Sequence, residues 1–537
     1  MLFTSYEFIG FLLVLFISYY LIPKQHQWKL LLLFSYLFYF IAGPIYLLYI
    51  ATTSVTIYLF ALKIENLSHI EKGYLAGDKE VFNKVNEIYR DDKKAFKNYI
   101  KSRKWRLLII ALIINIGILA ISKYTNFAIA NINSLLRAVG SDGHLTLRNI
   151  IIPLGISFYT FQAVSYLIDV YRGTITAERN IFRFALFVSF FPQLIQGPIS
   201  RFGDLSKTLF TPHSFDRTQV SYGLQRILWG FFKKMVIADR IMVGTAEIVR
   251  NPETHGGAFV LVGMLFFAIE LYADFTGGID ITIGVAQVLG IKVAENFRRP
   301  YFSKSIKEFW KRWHISMGTW FTDYIFYPVT VSKPMLRLSK WSRKYLGKNV
   351  GKRVPIYLSS FLVWFTTGLW HGASWNFIVW GLANWVVIMI SEEFEPLYNR
   401  FHKHFPRIKE QTLFKCFQIL RTITIMSFIR SFNCYRDVPL TFKMWGTIIT
   451  ERNWQVLFDG SLLGLGLSLA DYIILLLGVI LIFCVSMKQR GGAVREYIDT
   501  KPYWVKFAIW YGLFLIVLIF GAYGIGYDAN QFIYNQF

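Results

Sequence analysis

The chain has 537 residues, of which 54% are hydrophobic and only 17% charged. Soluble globular proteins carry about 25% charged residues, so this balance, with its repeated long apolar runs, replaces several soluble domains by one polytopic membrane bundle. The net charge of +25 comes from Lys and Arg gathered in the hydrophilic loops. With no RNA- or DNA-binding motif beside it, this excess reads as positive-inside topology, and no nucleic-acid partner is assigned.

The first apolar run, 8–22, has no basic segment before it and no small-residue cleavage signal after it. It reads as a retained span, followed by spans at 29–42 and 46–62 that are hinged at Gly43-Pro44. The longest hydrophilic loop, 63–106, ends in a cluster that includes Arg103-Lys104-Trp105-Arg106. Such a cluster beside a span is expected in the cytoplasm, and an ordinary solvated helix pair is its plainest account. A span at 107–121 and a lightly charged exterior loop at 126–149 come next.

Pro153-Leu-Gly-Ile-Ser-Phe-Tyr-Thr-Phe-Gln162 opens a span with polar groups at membrane depth, and Phe191-Pro-Gln-Leu-Ile-Gln196-Gly-Pro198 ends another apolar run in glutamines and prolines. Irregular backbone at that depth survives only where protein or a cavity shields it. Both segments are therefore expected around a cavity, with a re-entrant turn at 192–198. Spans at 222–246 and 258–273 follow. The stretch 303–320 mixes lysine and arginine with Phe309, Trp310 and Trp313 at helical spacing, which predicts one amphipathic helix at the cytoplasmic interface. The basic run 333–353, a hairpin of spans at 354–370 and 377–390, and spans at 413–429, 471–486 and 505–523 complete the chain. Parity of the basic loops gives about eleven to thirteen spans with the N-terminus outside.

Two histidines stand out, His314 and His371, 57 residues apart and each beside tryptophan. A neutral imidazole takes and returns a hydroxyl proton near neutral pH, and a polar group at the edge of a span needs partners. On a continuous helix His314 shares one face with Trp310 and Trp313; a histidine hydrogen-bonded to backbone would look the same. Gly368 and Gly372 bracket His371 and Trp370, which would allow close approach of a substrate. Asn376 is placed to orient His371 or to hold a developing oxyanion. Glu270, Asp274, Asp280 and Asp323 lie in the same region, but without HExxH, paired histidines or clustered cysteines no metal site is assigned. The three cysteines are scattered and imply no disulfide framework.

Five motifs, in order along the chain, carry a resemblance. They are the 153–162 and 191–198 segments above, Glu295-Asn-Phe297, Phe309-Trp-Lys-Arg-Trp-His-Ile-Ser316 and Gly368-Leu-Trp-His-Gly-Ala-Ser-Trp-Asn-Phe377. Together they resemble the membrane-bound O-acyltransferase (MBOAT) family, and more narrowly its bacterial branch of alginate O-acetylation and teichoic acid D-alanylation. The ending, 526–537, is similar to that branch too. The resemblance implies one all-α domain over 1–537, with a basic cytoplasmic loop near 63–106 and a buried catalytic tunnel. It makes His371 the principal catalytic histidine and His314 the second, with Asn376, Trp313, Trp370, Asp280, Gln162 and Gln196 binding or supporting.

It further implies a multi-pass protein of the bacterial cytoplasmic membrane with no bound cofactor. The acyl donor would be acetyl-CoA or an acyl carrier protein thioester. The acceptor would be an extracytoplasmic polysaccharide, or a teichoic acid in the D-alanyl variant, reached through an SGNH/esterase-like partner with its own serine. A transporter or scaffold whose histidines only line a path is the contrasting reading, because polar groups beside broken spans serve transport as well.

Overall fold

The computed structural model describes residues 4–78, 80, 92–141 and 143–523. Among them the chain is helical, and its one extended pairing is an antiparallel bridge between Phe297 and Trp313. Among the described residues seven helices are long and apolar enough to cross a membrane, and shorter apolar helices accompany them. The chain is thus a polytopic helical bundle. Its ending motif, 526–537, lies outside the described residues. Contacts group the chain into two compact units, one of 7–216 with 289–293, the other chiefly of 217–288 with 294–537.

The first unit holds α1 (Tyr6–Leu21), α2 (Gln27–Ala42), α3 (Tyr46–Ala76), α4 (Lys93–Ala138), α5 (Ile156–Arg172) and α6 (Ile181–Ser189). The stretch 63–106 is less of a loop than its charge predicts, because α3 runs on to Ala76 and α4 begins at Lys93. Asp92 caps α4 by accepting from the Lys94 and Ala95 amides at 2.8 Å. The two extensions are held by Lys104–Glu71 at 2.8 Å and by the Tyr74 and Phe96 rings at 4.3 Å. Lysine, glutamate and alanine are good helix formers, so polarity here marks the end of the membrane and not the end of the helix. Residues 126–138 are likewise helical, continuing α4 to Ala138.

The expected irregular segment is present and buried. Residues 190–200 leave the helix after α6 and are all buried. Phe191 packs on Phe11 and Phe38 at 5.3 and 5.5 Å, and Gln193 donates to Ser200 Oγ at 2.5 Å. Gly155, in the left-handed region at φ 69°, starts α5 against this segment. A Cβ there would lie 2.2 Å from the Leu194 carbonyl oxygen, so the close contact admits only glycine.

In the second unit α7 (Arg217–Phe231) passes through a widened π turn, Phe232–Ala238, into α8 (Asp239–Arg250). It packs along α9 (Ala258–Val288), the most buried of the membrane-length helices. Gly230 and Gly277 let the backbones nearly touch, since a Cβ on either would sit 2.7 or 2.9 Å from the other's carbonyl oxygen. Buried charges cross this seam in pairs. Asp280 accepts from Arg226 Nε at 2.8 Å and Lys233 Nζ at 2.5 Å, while Lys234 Nζ lies 2.6 Å from both Asp274 and Asp239. Each charge is bearable in an apolar bundle because its partner is within hydrogen-bond reach.

The chain continues through α10 (Ile306–Arg312), α11 (Ile315–Phe321), α12 (Lys333–Tyr345), α13 (Val354–His371) and α14 (Trp375–Glu393). It closes with α15 (Thr412–Tyr435), α16 (Val438–Thr450), α17 (Leu469–Lys488) and α18 (Tyr503–Phe520).

Candidate active site

The predicted amphipathic helix 303–320 is two helices. It breaks at Trp313-His314, where His314 takes the left-handed conformation at φ 49° and ψ 52°. A non-glycine residue held there costs about 1–3 kcal/mol and persists only where its surroundings enforce it. The enforcement comes from Glu295-Asn-Phe-Arg298, which lies beside the break as a short extended strip. Arg298 N donates to Arg312 O at 2.9 Å and Ile315 N to Asn296 O at 3.0 Å. His314 therefore does not share a helical face with Trp310 and Trp313. Trp313 instead stacks on Phe309 and meets Phe297 edge-on, while His314 turns inward with 1% of its surface exposed.

Asn296 sets the chemistry of that imidazole. Its Oδ1 accepts from Ser316 N at 2.9 Å and Ser316 Oγ at 3.0 Å, leaving its Nδ2 to donate to His314 Nδ1 at 3.2 Å. Nδ1 lies farther, at 3.4 Å, from the Oδ1 already occupied by Ser316, which favours the tautomer with Nδ1 as acceptor and the ring proton on Nε2. Burial pushes the His314 pKa down to about 3, so the ring is neutral at ordinary pH.

His371 is the last residue of α13. Its ring lies 4.9 Å from Trp370, 4.8 Å from Trp380 and 6.5 Å from Phe377, parallel to the last. Trp370 is also 5.9 Å from the His314 ring. The two histidines thus converge on one indole. The flanking glycines are required by packing: a Cβ on Gly368 would meet Phe377 O at 2.6 Å, and one on Gly372 would meet the Phe377 ring at 2.1 Å. They bring the first turn of α14 against the end of α13. Asn376, buried in that turn, accepts from the Ser374 hydroxyl. Its amide nitrogen, like the Trp380 indole nitrogen, has no acceptor among the described residues. These are buried N–H donors of the kind that hold a developing oxyanion.

The other sequence candidates fall elsewhere. Asp280 belongs to the ion-pair seam with Arg226 and Lys233 and touches neither histidine. Gln162 and Gln196 lie in the first unit, where Gln162 donates to Phe187 O at 2.7 Å and Gln196 is fully buried, its amide atoms without a hydrogen-bond partner among the described residues. Among the described residues no three acidic, histidine or cysteine side chains gather as a metal site.

Two residues with large structural effects had no role from sequence. One is Asn296. The other is Arg430 in α15, buried with its guanidinium 4.0 Å above Trp313 and donating to Tyr301 Oη at 2.7 Å. An arginine inside an apolar span was the available signal for it.

The sequence profile described as "MBOAT, membrane-bound O-acyltransferase family" matches residues 175–435, which include both histidines and Asn296. A probable alginate O-acetylase of Azotobacter vinelandii is 34% identical over 393 residues, covering 72% of this chain and 68% of that protein. One from Pseudomonas syringae is 40% identical over 278 residues, covering 51% of this chain and 49% of the relative, so the chain spans about half the length of that protein. A teichoic acid D-alanyltransferase of Bacillus subtilis is 31% identical over 276 residues, covering 50% of this chain and 66% of the relative. The break that turns His314 inward and the hairpin that carries His371 lie within the region shared with the profile, and the chain belongs to the membrane-bound O-acyltransferase family.

Proposed function

We propose that this protein is an O-acyltransferase that moves an acetyl group from a thioester donor to a hydroxyl, for modification of an extracytoplasmic polysaccharide. The observation that carries this reading is the convergence of His314 and His371 on Trp370, beside the buried N–H groups of Trp380 and Asn376. In the proposed step the His371 imidazole takes the proton of the attacking hydroxyl as its oxygen bonds to the acyl carbon. The carbonyl oxygen gains negative charge, and N–H donors held in a water-poor site stabilise it. The C–S bond then breaks, and His371 returns the proton to the leaving thiolate. His314 is a donor in this scheme and not the base, because its acceptor nitrogen is taken by Asn296.

Acetyl transfer is preferred to D-alanyl transfer because the alginate relatives match at higher identity or over a longer stretch. Acetyl-CoA is the proposed donor, arriving on the cytoplasmic side of a bacterial cytoplasmic membrane. There α12, with Lys340, Arg343 and Lys344 among its bases, attracts an acidic molecule. An esterase-like extracytoplasmic partner would carry the group onward.

The test is transfer of radiolabelled acetyl from acetyl-CoA by the reconstituted chain with its extracytoplasmic partner. His371→Ala should lower turnover by roughly 10²–10⁴-fold, the usual yield of acid–base catalysis. His371→Gln keeps hydrogen bonding without a titratable proton, and should resemble Ala. A Gln variant with near-normal turnover would return His371 to a packing role. Transfer only from a D-alanyl carrier protein would replace the acetyl reading.

A further inference from the structure

The second unit contains a cavity of about 1070 Å³ that includes neither histidine. This is slightly above the usual range of about 300–1,000 Å³ for small-molecule sites. One end is basic, lined by Arg298, Arg299, Lys311, Arg312, Arg490 and Arg495. The other is apolar, with Trp229 of α7, Leu481 and Val485 of α17, and Leu513 and Ile516 of α18.

The two ends follow the geometry of the spans. Arg490 and Arg495 lie between the end of α17 at Lys488 and the start of α18 at Tyr503. The basic rim therefore sits where both helices leave the apolar layer, and the greasy wall runs inward along them. α18 is the most exposed of the membrane-length helices, with Leu513 alone buried along it. The cavity thus has a flank formed by a helix that faces its surroundings.

The acids lining the cavity are already engaged. Glu295 grips Arg226 through two bonds of 2.6 Å, and Asp280 is shared by Arg226 and Lys233. Among the described residues, Arg298, Lys311 and Arg490 have no acidic partner. Arg299 has an Nε without an acceptor among the same residues. Burial, with Arg312 and Arg490 beside it, holds its guanidinium below the ordinary range. A cluster of like charges with unfilled donors, set over an apolar slot between two spans, matches an amphiphile whose head is a phosphate.

We propose that this cavity binds an anionic phospholipid, with its phosphate among Arg298, Arg299 and Arg490 and an acyl chain laid between α17 and α18. The segment the head would touch continues directly into Asn296, so an occupied site braces the strip that shapes His314. The lipid is preferred to the acyl donor because the slot is walled by bilayer-facing helix and contains neither histidine.

The experiment uses the full chain in phosphatidylcholine vesicles doped with phosphatidylglycerol that carries a photoreactive group on its acyl chain. Cross-links should map to 508–516 of α18, and should be competed by unlabelled phosphatidylglycerol but not by phosphatidylcholine or free coenzyme A. Arg298→Ala with Arg490→Ala should raise the half-saturating phosphatidylglycerol fraction on the order of tenfold. Lys403→Ala with Arg407→Ala, basic positions away from the cavity, should leave it unchanged. Equal labelling by a phosphatidylcholine probe would overturn the proposal. So would displacement by coenzyme A, which would make the cavity the donor's, or an equal loss in the Lys403 and Arg407 variant, which would reduce the effect to surface charge.

Discussion

The Asn296 amide nitrogen lies 3.2 Å from His314 Nδ1, while its oxygen is already occupied by Ser316. One side chain thus bonds both His314 and Ser316 and, through the shorter of its two contacts to Nδ1, favours a ring proton on Nε2. Asn296→Asp keeps the size and the Ser316 contacts but replaces the donor by an acceptor. His314 must then place its proton on Nδ1, and the Nε2 donor is lost from the neutral ring. Turnover should fall about 10²–10³-fold, the cost of losing one oxyanion donor, with the protein still inserted. An Asp variant as active as the parent would remove the tautomer argument.

Acid stability follows from the same residue. The His314 pKa is depressed by burial to about 3, against about 6.5 in an unfolded chain. Between those values the unfolded state binds a proton that the folded state refuses, so stability falls as pH drops from about 6.5 toward 3. His314→Gln removes this linkage. Thermal unfolding in nanodiscs should show the parent losing Tm between pH 7 and pH 5 by more than the Gln variant does. Parallel losses would mean that another group governs the acid limb.

Asn376 separates orientation from charge stabilisation. Its oxygen is bonded to Ser374 and its nitrogen has no acceptor among the described residues, so the free function is donation. Asn376→Asp removes that donor at constant size and should lower kcat about 10²–10³-fold with little change in KM. Ser374→Ala, which loses only the supporting hydroxyl, should cost about tenfold or less. If the Ser374 variant were as impaired as the Asp variant, Asn376 would be a cap for α14 and nothing more.

The sequence made the two tryptophan-flanked histidines conspicuous, and it marked 190–200 as irregular backbone that needs burial. It did not reveal the break at Trp313-His314. No glycine or proline marks that break, and the apolar spacing runs through it unbroken. What splits the helix is pairing with Phe297, a contact between segments that are not neighbours in the chain, and local periodicity carries no information about it. The charge seam was half legible. Lys233, Lys234, Asp274 and Asp280 are each improbable in an apolar span and so announce partners. Which lysine takes which aspartate depends on the extra residue in the π turn and on the Gly230–Gly277 contact. The glycines beside His371 were noticed for a different reason than the one the fold gives them.

Those glycines supply the last test. A Cβ on Gly368 would lie 2.6 Å from the Phe377 carbonyl oxygen, a backbone atom that cannot rotate away. Gly368→Ala must therefore push α13 and α14 apart at the turn that sets His371 against Trp380. The overpacking should destabilise the protein by about 1–3 kcal/mol and lower turnover by more than that loss of folded protein explains. Gly446, in the middle of α16, has nothing within 4 Å of the same added atom. Gly446→Ala should leave activity intact and stabilise by about 0.5–1 kcal/mol, the ordinary gain of alanine over glycine in a helix. Thermal unfolding and acetyl transfer measured on the pair distinguish a local clash from a general effect of glycine removal. If Gly368→Ala behaved like Gly446→Ala, the close approach of α13 and α14 would not be what positions His371.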